Sequence, residues 1–199
     1  MNAIEKFKQL SGISLVVTTI FLSGCQTPSN SLNFTPIVPN ASMNINQTAV
    51  VYVMTNDNRN QAEIASYTKS KELIKLTSSP SPSQLFQQIM QQNLISKGFR
   101  IGQVNNSNTG ITVNIKQFYA KVGQGNLRYS IESQIQVEVV VQGTKGQFTK
   151  NFNASRTQSG AFSANNDEIH KVLGETLKDI TTSIYQDQEI SAAIAQYSN

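Results

Sequence analysis

The stretch "RYSIESQIQVEVVVQG", Arg128 to Gly143, alternates apolar and polar residues over nearly its whole length. Ile131, Ile135, Val137, Val139 and Val141 fall on one side of an extended chain, and Ser130, Glu132, Gln134, Gln136 and Glu138 on the other. Successive side chains of a strand point to opposite faces, so this strand buries one face and wets the other. Two similar stretches flank it. In "GITVNIKQFYAKVG", Ile111, Val113 and Ile115 alternate, the phase slips, and Phe118, Ala120 and Val122 carry it on. One extra residue near Lys116–Gln117, a β-bulge, accounts for the slip. In "GQFTKNFNAS" the inward residues are Phe148, Phe152 and Ala154. The links "GQGN" and "GTKG" are short and glycine-rich, which predicts an antiparallel meander of three strands.

An apolar sheet face needs a cover, and two helical patterns supply it. In "SPSPSQLFQQIMQQNLISKGF", Ser81 is the N-cap, Pro82 suits the first helical position, and Gln84 completes a capping box. Leu85, Phe86, Ile89 and Met90 form its apolar stripe, and Gly98 supplies a left-handed stop. A second helix is predicted from Asp167 to Tyr185, capped by Asn165 and Glu168, with Ile169, Val172, Leu173, Leu177, Ile180 and Ile184 on one stripe. A short helix, "QEISAAIAQY", follows Asp187. Brief β-rich runs occur at "AVVYVM" (Ala49 to Met54), "ELIKLTS" and "FRIG". The sum is an α/β (α+β) fold: a largely antiparallel β-sheet with two main helices packed on one face, a two-layer sandwich whose other face is polar.

The start of the chain carries a different message. Lys6 and Lys8 precede an apolar run from Ile13 to Leu22, about half the length that spans a bilayer. Ser23, Gly24 and Cys25 follow, and Cys25 is the only cysteine, so it has no disulfide partner within the chain. "LSGC" resembles the lipobox of bacterial lipoproteins, whose cysteine thiol receives a diacylglycerol and becomes the mature N-terminus. Each buried methylene contributes about 0.8 kcal/mol, one acyl chain anchors marginally, and two or more anchor stably. A triacylated Cys25 would therefore hold the protein on a membrane without a spanning helix. The predicted organisation is a lipoprotein signal peptide over 1–24, a lipidated Cys25 with a flexible tether over 25–48, and a single domain over 49–199. The tether lacks charge and is rich in Asn, Ser, Thr and Pro. Two dozen flexible residues span roughly 25–30 Å, and the part around Phe34 to Val38 is suited to dock as an extended segment. In enterobacterial lipoproteins an aspartate after the lipidated cysteine signals inner-membrane retention. Gln26 stands there instead, which predicts the outer membrane of a Gram-negative bacterium, with the domain in the periplasm.

Chemistry is hard to assemble from the remaining residues. The net charge is +4, but its cations are scattered singly, unlike a nucleic-acid patch. With one histidine, His170, no metal-ligand cluster of the usual spacing is available. No G-x-S-x-G occurs, and His170 in a first helical turn reads as a surface residue. Glu132 and Glu138 share a strand face but lie about 20 Å apart at roughly 3.3 Å per residue, too far to act together. "GQGN" is followed by a strand, whereas a phosphate loop needs a helix N-terminus. No catalytic residue, metal or cofactor is predicted.

"QFYAKVGQGNLRYSIES", "FTKNFNAS" and "GAFSANNDEIHKVLGETLKDITTSIYQDQEI" together resemble the YajG family of Gram-negative lipoproteins. The likeness runs from Leu76 to the C-terminus, with the lipobox at a distance. Its most specific pieces are Tyr119-Ala120, Gln124-Gly125-Asn126 with Arg128-Tyr129, and Gly160-Ala161-Phe162. The helix-initiating segment before Leu85 departs from the family, although Ser81 still provides a cap. The resemblance implies lipid anchoring in the envelope and leaves the biochemical function unassigned. The layout is also similar to that of auxiliary lipoproteins of envelope lipid transporters, as an analogy of fold only. The expected function is a non-enzymatic binding or accessory module, meeting a protein, glycan or lipid partner through the polar sheet face or the hairpins. The alternative, a hydrolase or transferase acting on cell-wall or lipid material, requires a deep pocket with converging ionisable side chains. Gln124, Asn126, Arg128 and Tyr129 crowd one hairpin and form the candidate partner-binding group. Arg128 and Tyr129 are there of the types enriched at binding hot spots. Gly125 and Asn126 tolerate positive φ, so they are expected to set the turn geometry and the strand register.

Overall fold

The computed structural model describes residues 30–40 and 49–198; Cys25, the signal segment and the tether residues 41–48 lie outside the described residues. The strands are β1 (Ser31–Asn33), β2 (Val50–Asp57), β3 (Ala65–Lys69), β4 (Glu72–Ser79), β5 (Arg100–Ile101), β6 (Thr109–Gln124), β7 (Arg128–Gly143) and β8 (Gly146–Ala161). The helices are α1 (Pro82–Ser96), α2 (Asn166–Gln186) and α3 (Glu189–Tyr197).

The expected meander is present. β6, β7 and β8 are each 16 residues long and pair antiparallel in chain order. The ladder between β6 and β7 shifts register between Ile115 and Gln117, where the phase slip placed the bulge. Ile111, Val113, Ile115, Phe118 and Ala120 of β6, with Ile131, Ile135, Val137, Val139 and Val141 of β7, are completely or almost completely buried. Ser133 is the polar residue among them, and its hydroxyl meets that of Thr176 on α2, which also donates to the Val172 carbonyl at 2.8 Å. That pairing satisfies both groups in the core.

The other edge of β6 is shared between two strands. β2 runs parallel to it from Thr109 to Ile115, and β3 resumes parallel pairing at Ala120 and Lys121. β5 lies parallel outside β2, β4 pairs antiparallel with β3, and β1 pairs parallel with β4. These parallel joins make the sheet mixed, within an α+β fold. Between β2 and β3 the loop 58–64 crosses the bulge, leaving a break in the ladder. The Arg59 side chain, 5% exposed, fills this break. Its guanidinium forks onto the Asp57 carboxylate with two bonds of 2.8 Å, and donates to the carbonyls of Glu63 at 3.4 Å and Phe118 at 3.3 Å.

The helices cover one face of the sheet. α1 packs on β2 and β6, and α2 and α3 pack on β7 and β8. Both caps follow the sequence: Ser81 and Gln84 make a reciprocal capping box on α1, as do Asn165 and Glu168 on α2. Gly98, at φ 95°, ends α1; its N–H bonds the Ile95 carbonyl and that of Phe99 bonds Leu94, both at 3.0 Å. This is a Schellman stop. The opposite sheet face is polar, with Asn56, Asn114, Glu138 and Lys116 joined across three strands by contacts of 3.0–3.2 Å.

The N-terminal segment belongs to the folded body from Ser31 onward. β1 continues the sheet beyond β4, and Leu32 and Phe34 are buried. Phe34 sits edge-on to Phe118 at 5.7 Å between ring centroids.

Replacing Arg59 tests the account of the shared edge. Arg59→Met takes the guanidinium from two carbonyls and from Asp57, which keeps only the residue 59 N–H, and should lower stability by about 2 kcal/mol. Arg59→Lys should recover little of this, because an ammonium cannot fork. Hydrogen bonding to Arg59 holds the Asp57 carboxyl below its ordinary value of 3.8. The resulting stabilisation is full above that value and is lost as pH falls through the lower, folded one. Urea titrations from neutral pH to pH 3 should therefore show the wild-type advantage over Arg59→Met shrinking only at the acid end. A gap that persists undiminished would contradict the ion pair's part in it.

Candidate functional site

One end of the sheet gathers most of the irregular features. There β3 turns into β4, β6 turns into β7, β8 ends and α2 begins. Ser70 (φ 51°) and Lys71 (φ 72°) close the first of these turns. A cleft of about 480 Å³ opens at this end between the N-terminal strand and the start of α2. Leu32 and Asn33 of β1, Tyr67 of β3, Ile74 of β4, and Asn166 and His170 of α2 are among its walls.

The cleft's walls carry mainly neutral hydrogen-bonding groups, with Lys69 and Asp167 as the charged residues among them. The Tyr67 hydroxyl donates to Asn166 Oδ1 at 2.7 Å, and burial pushes its phenol pKa up, keeping it protonated. His170, expected at the surface, is half-buried between two partners. Its Nε2 lies 2.6 Å from the Asn33 carbonyl, and its ring is 4.9 Å from Phe34, tilted by 46°. A carbonyl only accepts, so Nε2 carries the proton and donates. The imidazole thereby fastens β1 to α2. Glu132 and Glu138 lie on the outer sheet face, away from the cleft. Asn114 and Lys116 hydrogen-bond the Glu138 carboxylate and hold its pKa below the usual range. Among the described residues, no three of His, Cys, Asp and Glu converge as metal ligands.

The candidate hairpin divides into two. Gln124, Asn126 and Arg128 are exposed. Tyr129 is not: it is 4% exposed and faces the helices. Its hydroxyl donates to the Glu168 carboxylate, which raises the phenol pKa, and its ring lies over Gly160, its cross-strand partner. The expectation that Tyr129 presents a ring to a partner is thus corrected. The signal was in the alternation, since Tyr129 is in phase with Ile131 and Ile135. The turn does not draw on the tolerance of Gly125 and Asn126 for positive φ. Neither Gly125 nor Asn126 takes positive φ, and the turn closes through the Gly125 N–H on the Arg128 carbonyl at 2.8 Å.

Two residues outside the candidate partner-binding group stand out instead. Leu127 and Phe162 are each 75% exposed. The Phe162 N–H donates to the Leu127 carbonyl at 2.9 Å, so they sit side by side. Phe162 has φ 68°, a left-handed value that a bulky residue seldom adopts. A leucine inside a turn of Gly, Asn and Arg was the available signal.

The glycines of this region separate turn geometry from packing. A Cβ on Gly160 would lie 2.3–2.5 Å from the Tyr129 phenol ring and hydroxyl, whereas one on Gly125 would meet only the Arg128 carbonyl, at 3.3 Å. Gly160→Val should cost about 1–3 kcal/mol by overpacking, while Gly125→Ala should stay within about 0.5 kcal/mol. Thermal denaturation of the two variants checks this. Equal losses would mean that the turn, and not the Tyr129–Gly160 contact, holds the hairpin.

Comparison with known proteins agrees with this picture. The model of a family described as uncharacterized lipoprotein matches residues 36–195. The uncharacterized lipoprotein YajG of Escherichia coli K12 is 27% identical over 183 residues, which cover 91% of this chain and 94% of that protein. Among solved structures, protein XCC0632 of Xanthomonas campestris aligns with a TM-score of 0.55 at 14% identity, over 84% of this chain and 99% of that one. A putative neuraminyllactose-binding hemagglutinin homolog of Helicobacter pylori aligns with a TM-score of 0.50 at 9% identity, over 83% of this chain and 97% of that one. At such identities the two structures share the fold alone. The sequence matches place the chain in the YajG family of membrane-anchored envelope lipoproteins.

Proposed function

We propose that this protein is a lipid-anchored accessory module of the bacterial envelope that works by binding rather than by catalysis. Acyl chains on Cys25 hold it to the outer membrane, and the folded body faces the periplasm. Its working surface is the end of the sheet where the cleft opens and where Gln124, Asn126 and Arg128 are displayed. The observation that carries this reading is the docking of β1. The chain enters the fold at Ser31, beside the cleft, so the anchor and the candidate surface share one end. The cleft's chemistry supports binding. Its imidazole is spent on a carbonyl and a phenyl ring, its phenol is held protonated on Asn166, and Lys69 and Asp167 are its charged lining residues.

The anchor is tested directly. Cys25→Ser removes the only thiol, so cells fed a palmitate analogue should label the native chain and not the variant. The labelled chain should band with outer-membrane markers in a density gradient. Equal labelling of Cys25→Ser contradicts the anchor, and a peak with inner-membrane markers contradicts the sorting.

A further inference from the structure

The exposed pair Leu127 and Phe162 lies at the end of the molecule where the chain leaves for its anchor. Asn30 lines the cleft together with Asn165, Asn166 and Asp167. Phe162 stands three residues before Asn165, so no more than about 11 Å of chain separates it from that wall. Cys25 stands five residues before Asn30, and five residues of chain reach at most about 18 Å. A lipid on Cys25 therefore brings this end of the sheet, and not the opposite one, to the headgroups. The 24-residue tether of roughly 25–30 Å that the sequence suggested does not separate them, because docking begins at Ser31.

We infer that the bilayer surface itself covers the hairpin tip: Leu127 and Phe162 rest in the boundary between headgroups and acyl chains. Single exposed apolar residues need no explanation, but an adjacent pair of large ones does. Here the backbone is bent to present them. Phe162 is held at φ 68° by its bond to the Leu127 carbonyl, and an unfavourable φ/ψ of this kind persists where the surroundings enforce it. Aromatic and leucine side chains are those that lie in the membrane interface. Arg128 directly follows Leu127 and is exposed, so its long stem can follow the apolar surface while the guanidinium reaches lipid phosphates. At the opposite end the turn between β7 and β8 carries Thr144 and Lys145, both exposed and neither a large apolar residue. The inference rests on anchoring through Cys25, and names what the anchor-side surface meets.

The chain has no tryptophan and one cysteine, which permits a test independent of acylation in cells. The mature chain, coupled through Cys25 to a maleimide lipid in phosphatidylethanolamine–phosphatidylglycerol vesicles, is given one indole by Phe162→Trp, Asn126→Trp or Val104→Trp. Val104, 63% exposed, precedes β6 at the far end. Lipids with brominated chains should quench Phe162→Trp about twofold and blue-shift it, with weaker quenching of Asn126→Trp. Val104→Trp should be unaffected, and Leu127→Ser should reduce the quenching of Phe162→Trp. Absent quenching at position 162 overturns the inference, as does equal quenching at 162 and 104. Because coupling replaces acylation, such a failure leaves the anchor standing, whereas loss of palmitate labelling from the native chain would remove the anchor and with it the premise of the inference.

Discussion

Phe34 packs edge-on against Phe118 at 5.7 Å and beneath His170 at 4.9 Å, and Phe118 in turn meets Phe86 edge-on at 6.4 Å. A line of rings thus runs from the N-terminal segment through the central strand of the sheet to α1. T-shaped pairs of this kind add to the burial of large apolar area. Their consequence is positional. With Phe34 5% exposed and β1 paired to β4, the chain is fastened to both layers before the domain's long strands begin. The segment is thereby fixed beside the cleft, and with the proposed lipid on Cys25 this turns the cleft end of the sheet toward the membrane.

The middle of β6 is where the sheet is least regular. β6 cannot be matched along its free edge by one strand, because its bulge interrupts the ladder. Two short parallel strands take its halves, and Arg59 supplies the missing donors between them. Beyond that point β3 and β4 leave β6 and lean toward the start of α2, where Tyr67 meets Asn166. The cleft is the space left by this divergence. It joins the engaged groups Tyr67, Asn166 and His170 to two charged residues, Lys69 and Asp167, a surface suited to recognition.

Much of this was legible in the sequence where the physical signal is local. Alternation over β7, the phase slip at Lys116, the paired caps Ser81–Gln84 and Asn165–Glu168, and the glycine stop at Gly98 each depend on neighbours a few residues apart. The parallel partners of β6 were not legible, because parallel pairing joins residues some 58 positions apart, as in Asn56 and Asn114, with no turn to announce it. Arg59 in "NDNRN" looked like part of a polar turn. Its burial follows only from the tertiary gap it fills. Tyr129 was misjudged by weighing its residue type above its phase in the strand. Leu127 and Phe162 lie about 35 positions apart in sequence, and only the β7–β8 ladder brings them together.

With the proposed lipid on Cys25, the anchored end of the sheet and its hairpin tip face the bilayer. Amide hydrogen exchange of the acylated protein, compared between vesicles and detergent-free solution of the unacylated chain, tests it most directly. Exchange should slow at 125–128 and 161–164 on vesicles, with no change at 103–107 and 143–146. Protection at 143–146, or none at 125–128, would contradict it.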